Sequence, residues 1–409
     1  MPYRKYRKWV LPAAAAAALG ALAAPQAAYA VPGPGGLRLD GVGACDFPMK
    51  EQFAGRPWPL QRVLLDELWQ DTRGKGIRVA VIDTGVDDTN PQLRDAVDAS
   101  AGIDYTGGGG SDGTVDEVGH GTKVAGIIAA RPRTGTGFVG LAPEATVIPI
   151  RQNDGRRGGL DRAMAAAIDH AIAKGAQVIN ISQDTTRPLA DDSLLGRAVA
   201  RAVAEDVVVV AAAGNDGMDG RRRMTYPAAF DGVLAVAASD RNNERAPFSQ
   251  AGEFVGIAAP GVDIVSTVPG DGQCTDNGTS FAAPYVAGVV ALMRAKYPDW
   301  TAAQIIARIE QTAERSVNGR DAFVGWGVVD PVRALSGDDA PQDAPHPDAA
   351  PAGARAPEPA HLAMSETSQQ RSKRYATYAL ASAAVLVGVV AGAATVARDL
   401  RRRRVPRHR

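Results

Sequence analysis

The run Asn277-Gly278-Thr279-Ser280-Phe281-Ala282-Ala283-Pro284-Tyr285-Val286-Ala287-Gly288 sets a serine behind Gly-Thr and ahead of an apolar stretch, Val286 to Met293. That pattern predicts a buried helix with Ser280 at its mouth. Backbone N–H groups at a helix start lack intrahelical partners and favour negative charge. A serine there presents a hydroxyl and an anion-binding donor together, as an acyl-transfer nucleophile needs. Pro284 is read as lying near the first turn, where proline is tolerated. The same tripeptide also fits the cap of an ordinary core helix. What decides is whether a base, a carboxylate and a second oxyanion donor stand elsewhere.

Around this run, strand and helix patterns alternate. Ile77 to Ile82 is a short apolar run ending at Asp83, the style of a buried strand. His120-Gly121-Thr122 opens a second buried helix through Ala130. Further strands are read at 145–150, 178–182, 207–213, 233–238 and 257–261, and further helices at 60–71, 160–174 and 194–205. Thr301 with Gln304 reads as a capping box. Such alternation implies parallel strands with crossover helices, hence an α/β layered fold. Sites in these sheets lie at the carboxyl ends of the strands, where Asp83 and Asn215 fall. Residues 107–117, with four consecutive glycines and three acids, read as a flexible, solvated loop; calcium there is the alternative.

The two ends differ from the middle. Arg4, Lys5, Arg7 and Lys8, the apolar Trp9 to Ala24 and Ala28-Tyr29-Ala30 have the layout of a secretory signal, residues 1–30, with a retained anchor as the alternative. Tyr375 to Ala397 is 23 residues without a charge, long enough to cross a bilayer core. Arg398 and Arg401 to Arg404 follow it, so residues 398–409 are expected in the cytoplasm and residues 31–370 outside. Between the basic ends, residues 31–370 carry 31 basic against 44 acidic residues, a net of −13. Nucleic acid is therefore not an expected partner. The two cysteines, Cys45 and Cys274, both lie in the part expected outside. They admit one bridge, with two free thiols as the alternative. Residues 31–59 read as a Gly/Pro-rich arm, 60–335 as the folded domain, and 336–374 as a Pro/Ala-rich disordered linker.

Ser280 needs a base. Of five histidines, His346 and His361 fall in the linker, His408 in the basic tail, and His170 on a helix read as solvated, which leaves His120. Asp83, after a run of buried residues, suits the carboxylate that orients such an imidazole. Asn215 ends Ala211-Ala212-Ala213-Gly214 and offers a side-chain amide to share an oxyanion with the Ser280 N–H. Asp83-Thr84-Gly85 alone also fits an aspartic protease, but no second Asp-Thr-Gly or Asp-Ser-Gly occurs. There is no His-Glu-x-x-His and no cysteine cluster, so no metal or other cofactor is expected.

Asp83-Thr84-Gly85, His120-Gly121-Thr122 and Gly278 to Pro284, in that order with Asn215 between the last two, resemble the subtilisin-like serine proteases over about residues 60–335. Signal, domain, Pro-rich linker, one apolar segment and basic tail further resemble the mycosins, membrane-anchored subtilases of type VII secretion systems. The resemblance implies a three-layer α/β fold with a mainly parallel sheet. It also implies endopeptidase activity on protein or peptide substrates, a triad of Asp83, His120 and Ser280, and Asn215 as oxyanion donor. By it, Ser182, Ala212, Ala213 and Gly214 would line the substrate cleft, and segment 180–183 would be an edge that pairs with substrate. The family partner it implies is the type VII secretion membrane complex, for which this chain would be a protease or a structural component. Two departures stand out. Gln183-Asp184 replaces the expected Leu-Gly after Ser182, and residues 31–59 are too few and too Gly/Pro-rich for a folded inhibitory prodomain.

Overall fold

Seven strands, all paired in parallel, form the layer on which everything else is laid. The computed structural model describes residues 38–39, 45, 52–107, 112–155, 161–337, 339–348 and 366–403. The expected signal, most of the arm, three of the four consecutive glycines, most of the linker's second half and the last six residues of the basic tail lie outside the described residues.

In chain order the elements begin with β1 (Arg38–Leu39), α1 (Trp58–Arg62), α2 (Leu65–Leu68), β2 (Arg78–Asp83), β3 (Ile103–Asp104), α3 (His120–Ala129) and β4 (Thr146–Arg151). They continue with α4 (Asp161–Ala173), β5 (Val178–Ile181), β6 (Gln183–Asp184), α5 (Leu194–Ala204), β7 (Val208–Ala212) and β8 (Val233–Ser239). Then come β9 (Ile257–Pro260), β10 (Ile264–Thr267), β11 (Gln273–Asp276), α6 (Thr279–Lys296), α7 (Ala302–Thr312), α8 (Pro331–Leu335) and α9 (Ser368–Arg403). The sheet order is β3-β4-β2-β5-β7-β8-β9, so the chain reverses direction across the sheet between β2 and β5. An α/β sheet binds its ligand at the carboxyl ends of strands beside such a reversal.

Alternation within the strands makes two cores. Val79 and Val81 of β2 join α3 and α6 on one face, while Ala80 and Ile82 join α4 and α5 on the other. This is a three-layer α/β/α arrangement. From Thr279 to Arg294 every residue of α6 is buried, which explains why its sequence is apolar all round rather than striped. The segment read as one helix at 60–71 is instead two, because Val63 turns extended between α1 and α2 and leaves Leu64 exposed. The capping box at Thr301 and Gln304 is present at the start of α7.

Cys45 and Cys274 form a disulfide, with Cα atoms 6.4 Å apart. The bridge ties the arm to the β10–β11 hairpin, and the following residues continue along it. Gln52 Nε2 donates to Asp271 Oδ1 at 3.0 Å, the Phe53 N–H to Gln273 Oε1 at 2.7 Å, and Trp58 Nε1 to the Val262 carbonyl at 2.9 Å. A second unit, residues 350–409, contains α9. Its stretch Ser368–Arg402 is long and apolar enough to cross a membrane and begins seven residues before the uncharged core read from sequence.

One carboxylate outside the site sets a pH dependence. Burial on α7 raises the Glu310 pKa from 4.5 to about 7, against the opposing pull of Arg320. Unfolding returns it to an ordinary value of about 4.3. A carboxyl group whose pKa is higher in the folded state favours folding below the unfolded value, and that advantage is lost as pH rises through about 7. Glu310→Gln is therefore expected to leave stability nearly unchanged near pH 4 and to raise it by about 3 kcal/mol at pH 8, measured by denaturant unfolding.

Candidate active site

Asp83 ends β2, and His120 opens α3 directly after Gly119, whose φ of 80° is the left-handed conformation glycine adopts without strain. Both side chains are almost wholly buried, and His120 Nδ1 lies 2.7 Å from Asp83 Oδ1. The same carboxylate oxygen accepts the Thr84 N–H at 2.8 Å, which fixes its orientation. Burial is the largest single influence on His120 and opposes its charge. The Asp83 carboxylate, by charge and by hydrogen bond, more than offsets this and raises the His120 pKa above its ordinary value. The Phe281 ring packs 5.3 Å from the imidazole and walls it off.

Ser280 is the second residue of α6. Proline at 284 stands inside the helix, not in its first turn as the sequence reading had it. Its missing N–H frees the carbonyl four residues back, that of Ser280. The Ser182 hydroxyl donates to that carbonyl at 2.9 Å and itself accepts from Asn180 Nδ2 at 2.9 Å. The helix irregularity thus fastens the nucleophile candidate to the end of β5.

Asn215 lies just beyond β7. Its Oδ1 accepts the Thr279 N–H at 2.9 Å and the Thr279 hydroxyl at 3.1 Å, so its amide NH₂ is turned the other way. Gly278 is the place where these groups converge. A Cβ there would lie 3.0 Å from Ser280 Oγ and 3.5 Å from Asn215 Nδ2. Gly214 is held from the same helix, its N–H donating to Thr279 Oγ1 at 3.1 Å. Ser182 and Gly214 therefore flank the Ser280 peptide from two adjacent strands, with Ala212 and Ala213 leading up to the second.

The structure adds residues that the sequence reading passed over. Asp116, placed in a solvated loop by its glycine neighbours, is only 6% exposed. Its carboxylate accepts from the Thr84 hydroxyl at 2.8 Å, the Val118 and Gly119 N–H groups at 3.2 and 2.8 Å, and the Thr122 N–H and hydroxyl at 2.9 and 2.6 Å. One carboxylate so joins the end of β2 to the start of α3, fixing Asp83 and His120 relative to each other. Burial nonetheless outweighs these bonds and raises the Asp116 pKa. Lys123 of α3 pairs with Asp276 of β11 at 2.8 Å in a buried ion pair beside Phe281. A spacing of four before His120 was the available clue to Asp116; nothing local signals Lys123 with Asp276, 153 residues apart.

His170 is half-buried, its Nε2 2.8 Å from the Ala101 carbonyl on the opposite layer from α3 and α6. Residues 180–181 belong to β5, paired on both sides, so they cannot be the free edge read from sequence. The edge begins at β6, and there Arg38 and Leu39 of the arm already pair antiparallel with Asp184 and Gln183. Among the described residues no group of three metal-ligating side chains gathers.

Residues 74–327 match the family model described as the subtilase family. The chain belongs to the subtilase family. This subtilase is 39% identical over 383 residues to mycosin-4 of Mycobacterium tuberculosis, covering 82% of this chain and 81% of that one. It is 38% identical over 347 residues to mycosin-1 of Mycolicibacterium smegmatis, covering 72% and 76%. A solved structure titled an intact ESX-5 inner membrane complex contains a chain 34% identical to it, with a TM-score of 0.64 over 88% of this chain and 94% of that one. The subtilase is a mycosin-like serine endopeptidase, and its C-terminal apolar helix is a membrane anchor.

Asp116→Ala removes five bonds to a buried carboxylate and strands their donors. It is expected to cost about 3 kcal/mol or more in denaturant unfolding, whereas an exposed Asp191→Ala or Asp231→Ala serves as a control within about 0.5 kcal/mol.

Proposed function

We propose that this subtilase cleaves secreted proteins by acyl transfer through Asp83, His120 and Ser280. The observation that carries the reading is the buried His120–Asp83 pair, 2.7 Å apart, with His120 at the mouth of α3 and Ser280 at the mouth of α6 on the same face of the sheet. The Ser280 hydroxyl attacks the peptide carbonyl, and His120 Nε2 takes its proton. Asp83 holds the Nδ1–H tautomer and stabilises the imidazolium. The oxyanion is received by the Ser280 N–H and Asn215 Nδ2, the amide already turned toward Ser280 by Thr279. His120 then protonates the leaving amine, and water repeats the sequence to release the acyl group.

The chain is proposed to carry a cleaved signal at 1–30, to hold its catalytic domain outside, and to leave Arg398 to Arg409 in the cytoplasm, which the Arg cluster after the anchor supports. Association with a type VII secretion membrane complex is the proposed setting, supported by the similarity to a chain of an ESX-5 inner membrane complex. That same similarity favours a second reading, in which the domain stabilises the complex and proteolysis is secondary.

A fluorophosphonate is expected to label the wild-type chain and not Ser280→Ala; an unlabelled wild type would defeat the catalytic reading. Secretion lost on deletion but retained by Ser280→Ala would favour the structural role. The raised His120 pKa places the acid limb of labelling above the usual imidazole range, with activity lost as pH falls through it. Asp83→Asn removes the attraction and leaves burial dominant, so the limb should move to lower pH while the plateau rate falls by about 10⁴-fold, as is typical of serine-protease triads.

A further inference from the structure

Gln183-Asp184 stands where the resemblance leads one to expect Leu-Gly, and the structure puts the aspartate inside the cleft. Asp184 is 5% exposed. Its carboxylate lies across Gly214, where a Cβ would come within 2.1 Å of Asp184 Oδ2 and 3.1 Å of Thr225 Cγ2. No side chain fits at 214 because the carboxylate fills that space, and the φ of +97° suits glycine in any case. The segment is held at both ends. Ser182 donates to the Ser280 carbonyl, and Thr185 exchanges two backbone hydrogen bonds with Tyr226, at 3.0 and 2.9 Å. Asp184 is therefore a carboxylate held in place, not a side chain free to swing into solvent.

A substrate carbonyl placed on Ser280 Oγ, with its oxygen toward Asn215 Nδ2, directs the side chain of its own residue between the ends of the two strands anchored to Ser280 and Thr279. Those ends are Ser182 to Asp184 and Ala212 to Gly214. The β6 edge beside them accepts an extended chain, since the arm occupies it. We propose that Asp184 makes this cleft selective for substrates with lysine or arginine immediately before the scissile bond, and selective against acidic residues there. The inference rests on the catalytic reading above and adds the substrate class. A carboxylate held away from water attracts an ammonium or guanidinium more strongly than an exposed one, and a like charge meets the same amplified field as repulsion.

The test uses the full-length chain in detergent and peptidyl phosphonate diphenyl esters that differ only in the side chain before the phosphorus: lysine-like, leucine-like or glutamate-like. A plain fluorophosphonate without a peptide reports Ser280 reactivity independently of that side chain. The expected order of labelling rates is lysine, leucine, glutamate, with lysine ahead of glutamate by about 100-fold. In Asp184→Asn the lysine-to-glutamate ratio, with each rate divided by that variant's own fluorophosphonate rate, should fall to within about fivefold, and Asp184→Lys should invert it. A wild-type chain that takes the leucine probe as fast as the lysine probe overturns the proposal, whatever the variants do. So does an unchanged ratio in Asp184→Asn. Failure of the fluorophosphonate to label the wild type removes the catalytic reading and this inference together; labelling without charge preference removes this inference alone.

Discussion

A single missing hydrogen bond organises the centre of this protein. Pro284 cannot donate to the Ser280 carbonyl, and a buried carbonyl without a partner costs about 1–3 kcal/mol. Ser182, at the end of β5, supplies the replacement, and Asn180 orients Ser182 in turn. The proline that weakens α6 therefore specifies where its first turn sits relative to the sheet. Thr279 does the same on the other flank, holding Asn215 through two bonds and Gly214 through a third. Ser280 is positioned by its neighbours' polar groups more than by its own.

The second half of the site is fixed by buried charge. Asp83 and Asp116 both sit in the low-dielectric region around α3; Asp116 is surrounded by donors, while Asp83 takes both of its hydrogen bonds on Oδ1. Thr84 is the hinge between them: its N–H serves Asp83, its hydroxyl serves Asp116, and its Oγ1 accepts the Gly121 N–H at 2.9 Å. A buried ion pair gains little net stability over apolar groups of the same shape, but removing either carboxylate alone strands the donors that face it. What the carboxylates give is a single geometry, with the imidazole held in one tautomer and one plane. The Lys123–Asp276 pair extends the arrangement to β11 and so to the run that carries Gly278 and Ser280.

How much of this was legible followed from the range of the interactions. The β2, β4, β5, β7, β8 and β9 strands and the α3 and α6 helices announced themselves through local composition, because full burial on both sides leaves near-continuous apolar runs. Asp83, His120 and Ser280 could be found as polar residues at the edges of such runs. Asp116 could not, because the glycines beside it read as a solvated loop while its burial depends on Thr84 and Thr122. The β1–β6 ladder was equally hidden. It is two residues long and joins positions more than 140 apart, so neither strand carries a periodic signal. The break between α1 and α2 defeated the helical spacing of Leu60, Val63, Leu64 and Leu68, since Leu64 faces solvent rather than the core.

The same long-range contacts that escaped the sequence reading bear on access to the site. The described residues of the Gly/Pro-rich arm are held at two places, the β10–β11 hairpin and β6. Cys45 fastens it to β11, Phe53 and Gln52 to the hairpin turn, and Arg38-Leu39 to β6. The arm reaches the β6 edge with its own backbone, through the antiparallel geometry by which an extended peptide adds to a strand. A substrate that uses this edge has to displace two residues of pairing, while the covalent tie at Cys45 stays. Because the tie lies on a different strand from the pairing, the edge can open without detaching the arm. The disulfide therefore sets the local concentration of the competing strand rather than closing the cleft, and a substrate's success depends on side-chain contacts beyond the backbone pairing it exchanges for the arm's.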